Sequence, residues 1–296
     1  MKSFHIAIIG GDKRLVYMIP RFLEKGYKVL CYATESTSGY KEIPYAGSLR
    51  EAVEHADVVA AGIPLVKGDR IFSKGDFPDL KLEKFLNLLQ EGQSLFAGVI
   101  PQNVQAHCEK QGIRWYDFMD CEPLAVFNAI ATAEGAVLEA VRNQPTNLHG
   151  SKTLILGYGR CAKVLGAKLK ALDAQVAICC RNQEAQGWAE ASGHKVISFD
   201  QLEQEISDFE YIYNTVPAIV LQGNVLKKIR KDAIVLELAS QGGGIDQEAA
   251  QLEEIRVVHC PGLPGKYAPK VSGEKLAEFV IETLARLSKN RILERV

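Results

Sequence analysis

The sequence predicts an α/β protein of two tandem doubly wound Rossmann-like parallel-sheet domains joined by a long helix. Three observations predict it. Short apolar runs recur without polar alternation, as strands covered on both faces of a parallel sheet require. Two of them, FHIAIIG (4–10) and KTLILG (152–157), end in a glycine turn and lead through a helical stretch to another apolar run. A length of 296 residues suits two such units at ~150 residues each.

The elements follow in order. After Gly10-Gly11-Asp12, Leu15 to Glu24 has helical periodicity, Gly26 stops it, and Tyr27 to Tyr32 forms the next strand. VVAAGI (58–63) and SLFAGVI (94–100) continue the first half. EPLAVFNAIATAEGAVLEAVRN (122–143) is an alanine-rich helix that Pro145, Asn147 and Gly150 bring to an end. The second half repeats the pattern, with a helix from Ala162 to Leu172 and strands at AQVAICC (174–180), YIYNTV (211–216), AIVLELA (233–239) and RVVHC (256–260). A last helix, from about Gly273 to Leu287, is expected to pack back on the first domain. The divisions expected are residues 1–121, a connecting helix at 122–147, a dinucleotide-binding domain at 148–271 and a returning helix at 272–296.

Composition limits the function. With 47% hydrophobic residues and a net charge of -1, general disorder is excluded. Thirty-five Lys+Arg against 36 Asp+Glu leave no surplus for a nucleic-acid backbone. The densest basic stretch, Lys227, Lys228, Arg230 and Lys231, suits a solvated helix end. The 7 cysteines include no C-x-x-C, and Cys179-Cys180 fall on opposite faces of a strand, so they read as apolar filler in a reducing compartment. MKSFHIAIIGG is too briefly apolar for a signal peptide or membrane span, and no metal-ligand spacing occurs. The expectation is a soluble cytoplasmic protein without a membrane or nucleic-acid partner. Its oligomeric state is open, a homo-oligomer included.

GYGRCA (157–162) is a G-x-G-x-x-A string that follows a predicted strand and opens a helix. Gly157 permits the turn, and Gly159 lets a pyrophosphate approach the backbone. Tyr158, Arg160 and Cys161 complete the loop, and Ala162 lets the helix sit close to the sheet. After the second strand comes Cys180-Arg181-Asn182, where a site for an unphosphorylated ribose would place a carboxylate. A guanidinium there suits a 2'-phosphate, which favours NADP over NAD. Three further strand ends are expected to rim the same crevice: Asn214-Thr215-Val216-Pro217, Glu237-Leu238-Ala239-Ser240 with Gly242–Gly244, and Cys260-Pro261-Gly262 leading through Leu263-Pro264-Gly265 to Lys266.

The run from HGSKTLILGYGRCAKVLG through YNTVP, ELASQGGGID and PGLPGKYAPK, with IAIIGGDKR and ATAEGA (131–136), resembles the A subunit of bacterial dipicolinate synthase. More distantly the layout is similar to D-2-hydroxyacid dehydrogenases and to the cofactor domain of adenosylhomocysteine hydrolase. The resemblance implies an NADP-linked oxidation of dihydrodipicolinate, or of its hydroxylated tetrahydro precursor, to pyridine-2,6-dicarboxylate. It also implies a partner, the flavoprotein-like B subunit, and a place in the mother cell of a sporulating bacterium. One position departs from the family: Gln241-Gly242 follow the ELAS serine, where a basic residue or proline is expected.

A small dicarboxylate substrate asks for cations near the interdomain cleft. Among Lys13, Arg14, Lys67, Arg70 and Lys266, Arg14 and Lys266 are favoured, since each lies just past a predicted strand end. Glu134 in ATAEGA is the first candidate for proton acceptor, and Glu237 a weaker one. His259, near the crevice but inside a strand, suits a core histidine. Two other readings stay open: a 2-hydroxyacid-type dehydrogenase on the same frame, and a non-catalytic NADP-sensing subunit.

Overall fold

The structure, a computed structural model, describes residues 3–36, 43–239 and 243–293. It divides into two compact units, Met1–Ala125 with Ala268–Val296, and Val126–Tyr267. The connecting helix is therefore counted with the second unit from Val126 onward.

The first unit runs β1 (His5–Ile9), α1 (Lys13–Glu24), β2 (Lys28–Tyr32), α2 (Leu49–Glu54) and β3 (Val58–Ala61). A small hairpin, β4 (Val66–Lys67) and β5 (Arg70–Ile71), precedes α3 (Leu82–Leu88), β6 (Ser94–Ala97), α4 (Gln102–Lys110) and β7 (Arg114–Asp117). Its main sheet is parallel, in the order β2-β1-β3-β6-β7. Ala7 and Ile9 of β1 enter one core and Ile6 and Ile8 the other. Both faces are thus covered, which is why the strand reads as an unbroken apolar run.

Next comes α5 (Glu122–Asn143), and the second unit proceeds through β8 (Lys152–Leu156), α6 (Arg160–Ala171), β9 (Gln175–Cys179), α7 (Gln183–Ala191) and β10 (Lys195–Ile197). Then follow α8 (Phe199–Glu205), β11 (Tyr211–Asn214), α9 (Gly223–Lys228), β12 (Ile234–Glu237), α10 (Gln247–Leu252), β13 (Arg256–His259) and α11 (Leu263–Tyr267). This sheet is parallel in the order β10-β9-β8-β11-β12-β13. Cys179 faces one core and Cys180 the other. By length and composition α5 could cross a membrane. Its apolarity is used in packing, since Ala133, Ala136 and Ala140 are buried in the second unit's core.

The last helix, α12 (Pro269–Leu293), is longer than the sequence suggests, because Pro269 fits a first helical position. It lies along α1, and its Leu276, Ala277, Val280 and Leu284 share a core with Met18, Ile19 and Phe22. Sequence reading missed β7, whose RWYD is half polar, and the three-residue β10. It also expected His259 to be a core histidine. β13 closes the sheet, so His259 is exposed and its Nε2 meets Gln247 Oε1 at 3.2 Å. The buried histidine is His194, edge-on to Tyr158.

Candidate dinucleotide site

Numbered within its own unit, the second sheet has the strand order 3-2-1-4-5-6, so its direction of winding reverses between β8 and β11. Ligands of such sheets bind beyond the carboxyl ends of the strands at that reversal. Gly157 ends β8 at φ +89°, and a Cβ there would lie 2.7 Å from Thr215 Oγ1. Glycine is required both by the backbone and by the neighbour. Thr215 in turn donates its hydroxyl to Leu156 O at 2.7 Å, tying β11 to β8 across the reversal.

Gly159 is the N-cap of α6, with no side-chain cap and no acid in the first turn. A Cβ on Gly159 would meet nothing within 4 Å. The N-terminus of α6 therefore carries no side-chain cap and no carboxylate in its own first turn, and the space beside Gly159 is open. That fits the pyrophosphate of a dinucleotide.

The other sequence candidates divide. Arg160, the first residue of α6, is exposed; in the loops that follow strand ends Arg181, Pro217, Pro261 and Gly262 are exposed, and Thr215, Val216, Leu238 and Ala239 half-buried. The Arg181 guanidinium lies 5.9 Å from the Phe199 ring. Tyr158 contributes backbone only: its ring is buried and its hydroxyl donates to Ser192 Oγ at 3.1 Å. The Asn182 side chain is spent on capping α7, accepting from Glu184 N and Ala185 N. Burial pushes the Cys161 thiol up to about 12, so it packs rather than reacts. Ser240 and the departing Gln241-Gly242 lie outside the described residues.

Sequence reading did not foresee what holds these loops. Asn214 at the end of β11 donates its amide to both oxygens of Glu237 at the end of β12, at 2.9 and 3.0 Å. Glu237 also accepts from Ala239 N and Gly244 N, each at 2.9 Å, while Asn214 Oδ1 accepts from Val216 N. Both side chains are buried. A Cβ on Gly244 would overlap Asn214 Nδ2, so a glycine must pass there. One Asn–Glu pair thus fixes the loops after two adjacent strands, and Glu237 has no free oxygen for a base to use.

The favoured catalytic residues are also committed elsewhere. Arg14 is 3% exposed. It forks onto both Asp12 oxygens at 2.9 Å and reaches Ile63 O at 2.9 Å. It clamps two loops of the first unit and presents no charge to a ligand. Lys266 and the Tyr267 hydroxyl both donate to Glu139, a buried residue of α5 that the sequence did not single out. Glu134 takes Lys168 Nζ at 2.9 Å. Lys168 lies two turns into α6, about 12 Å along it from the loop. Glu134 therefore sits on the flank of the unit. Lys13 and Lys67 are the exposed cations among those considered in the first unit.

The family model for the N-terminal domain of the dipicolinate synthase A subunit matches residues 5–119. The A subunit of dipicolinate synthase from Bacillus subtilis (strain 168) is 26% identical, over 97% of this chain and 98% of its own length. The crystal structure of the corresponding A subunit from Bacillus halodurans superposes with a TM-score of 0.85 at 25% identity, covering 95% of this chain and 98% of that one. Over nearly its whole length the chain is thus similar to dipicolinate synthase A subunits, and its first 119 residues contain the match to their N-terminal domain. The fold is shared more widely: a transhydrogenase from Sinorhizobium meliloti matches with a TM-score of 0.65 at 16% identity, over 95% of this chain and 94% of that one. Two Rossmann-like units of dehydrogenase type are thus common to the family and to distant relatives.

Proposed function

We propose that the chain is the NADP-binding subunit of a dipicolinate synthase, oxidising dihydrodipicolinate to pyridine-2,6-dicarboxylate. The observation that carries this reading is the open, uncapped Gly157–Gly159 loop at the reversal of a 3-2-1-4-5-6 sheet in a chain with this similarity. Bound NADP would supply a hydride acceptor. Aromatisation removes one hydride and one proton from the ring, so the protein's share is orientation and charge neutralisation.

Gly157, Gly159 and the first amides of α6 would hold the pyrophosphate, and exposed Arg181 the 2'-phosphate. Asn214 and Glu237 keep the loops after β11 and β12 in place. Glu139 and Glu237 have their oxygens occupied and Glu134 lies on the flank. None of these three is proposed as the acceptor of the ring proton. The same observation favours the second reading, a subunit that senses NADP without turnover.

Purified chain, with and without a candidate B subunit, given dihydrodipicolinate generated in place and NADP, separates these readings. Pyridine dicarboxylate absorbance rising together with NADPH supports the synthase. Binding of NADP without turnover in either mixture supports the sensor. Oxidation of 2-hydroxy acids instead supports a dehydrogenase of that type.

A further inference from the structure

Glu237 is a buried carboxylate that no step above uses, and its surroundings are unusual for one. Its two oxygens make four contacts with three N–H donors, from Asn214, Ala239 and Gly244. Acceptance alone is the pattern of an ionised carboxylate, because a protonated one must also donate. No cation of the described residues forms an ion pair with it. Lys266, from α11 after the next strand, is bound to Glu139, and His259, the register partner of Glu237 on β13, bonds Gln247 and faces solvent. The site therefore carries a fixed negative charge, 4% exposed, held by neutral dipoles.

Its place in the sheet gives that charge a role. A 3-2-1-4-5-6 sheet is two mononucleotide-binding halves, and Arg181 past β9 marks the half that takes the phosphorylated ribose. The nicotinamide half is then β11 to β13, and Glu237 ends the middle one of these strands. A nicotinamide ring is cationic when oxidised and neutral when reduced. A buried charge is screened less by salt and water than an exposed one, so it discriminates between the two forms.

We propose that Glu237 makes this site prefer the oxidised dinucleotide to the reduced one, biasing the protein towards oxidation and release of the reduced cofactor. This rests on the dinucleotide reading above. It is tested by titrating NADP and NADPH separately into the purified full chain, following protein fluorescence, without substrate. The wild type is expected to bind NADP about tenfold more tightly than NADPH. Glu237→Gln removes the charge and should bring that ratio close to one. Glu237→Asp keeps the charge and should retain most of the preference, and apo melting curves check that each variant folds.

Equal affinities in the wild type, or tighter binding of NADPH, overturn the proposal whether or not the variants fold. So does a folded Glu237→Gln protein with an unchanged ratio. Binding of neither form overturns the dinucleotide reading and this proposal with it, whereas equal affinities overturn the proposal alone.

Discussion

Arg181 and Glu139 show how much a single side chain decides in this protein, and how differently each could be foreseen. The proposal for Arg181 rests on local sequence: it stands one strand past the fingerprint, where a carboxylate would select an unphosphorylated ribose. Arg181→Asp should weaken NADP by about 10–100-fold, the worth of a charge-assisted hydrogen bond, and leave NAD far less affected. Calorimetric titration of both cofactors checks this. Glu139 is not legible, because its partners Lys266 and Tyr267 lie 127 and 128 residues away. Hydrogen bonds from Lys266 first, then from Tyr267, hold the Glu139 carboxyl below the ordinary glutamate range. The lowered value means that the unfolded chain binds this proton more readily than the folded one. The stabilisation is therefore present above the ordinary glutamate range and is lost as pH falls through that range towards the lowered value. Lys266 is half-exposed, which discounts the pair to about 1 kcal/mol at neutral pH. Glu139→Gln should lower the melting temperature at pH 7 and flatten its decline in that acid window.

At the scale of elements, the strands were readable because each is covered on both faces and so carries no polar alternation. β7, β10 and the exposure of β13 were not, because edge strands are short and half polar, like ordinary loop sequence. The strand orders were also hidden. Both halves share one local grammar of strand, glycine turn and helix, yet the first closes as 2-1-3-4-5 and the second as 3-2-1-4-5-6. Only the second has the six-strand order of a dinucleotide fold, so topology as well as motif supports the proposal of a cofactor there. The Asn214–Glu237 pair depends on the β11–β12 register, with Asn214 opposite Glu237, and register is not written in either strand alone. Gly244→Ala should press a methyl group onto Asn214 and cost about 1–3 kcal/mol. A urea titration followed by circular dichroism would show it, together with weaker NADP binding, because the loops it disturbs rim the cofactor site. Gly273→Ala, which would press α12 off the Arg14 backbone, should destabilise similarly without touching NADP affinity.

The whole molecule is two units, of which the first is completed only when the chain returns in α12. Leu276, Ala277, Val280 and Leu284 cover Met18, Ile19 and Phe22, and each such burial contributes about 1.5–3 kcal/mol. A chain ending before Pro269 should lose the calorimetric transition of the first unit while the second still melts cooperatively. The nearly neutral total charge also takes on meaning at this scale. Three of the cations picked out by position are paired within their own unit: Arg14 with Asp12, Arg70 with Asp76 and Lys266 with Glu139. Arg181, Lys13 and Lys67 remain exposed.

The central claim is that the Gly157–Gly159 loop holds a dinucleotide, and Gly159 allows that to be tested apart from the fold. Its φ of -83° suits any residue, and a Cβ there meets nothing within 4 Å, so a larger side chain should enter only the space reserved for pyrophosphate. Gly159→Val should melt at the wild-type temperature and bind NADP at least about 100-fold more weakly, a loss of about 2.7 kcal/mol. A variant that folds and binds NADP as the wild type does would contradict the assignment.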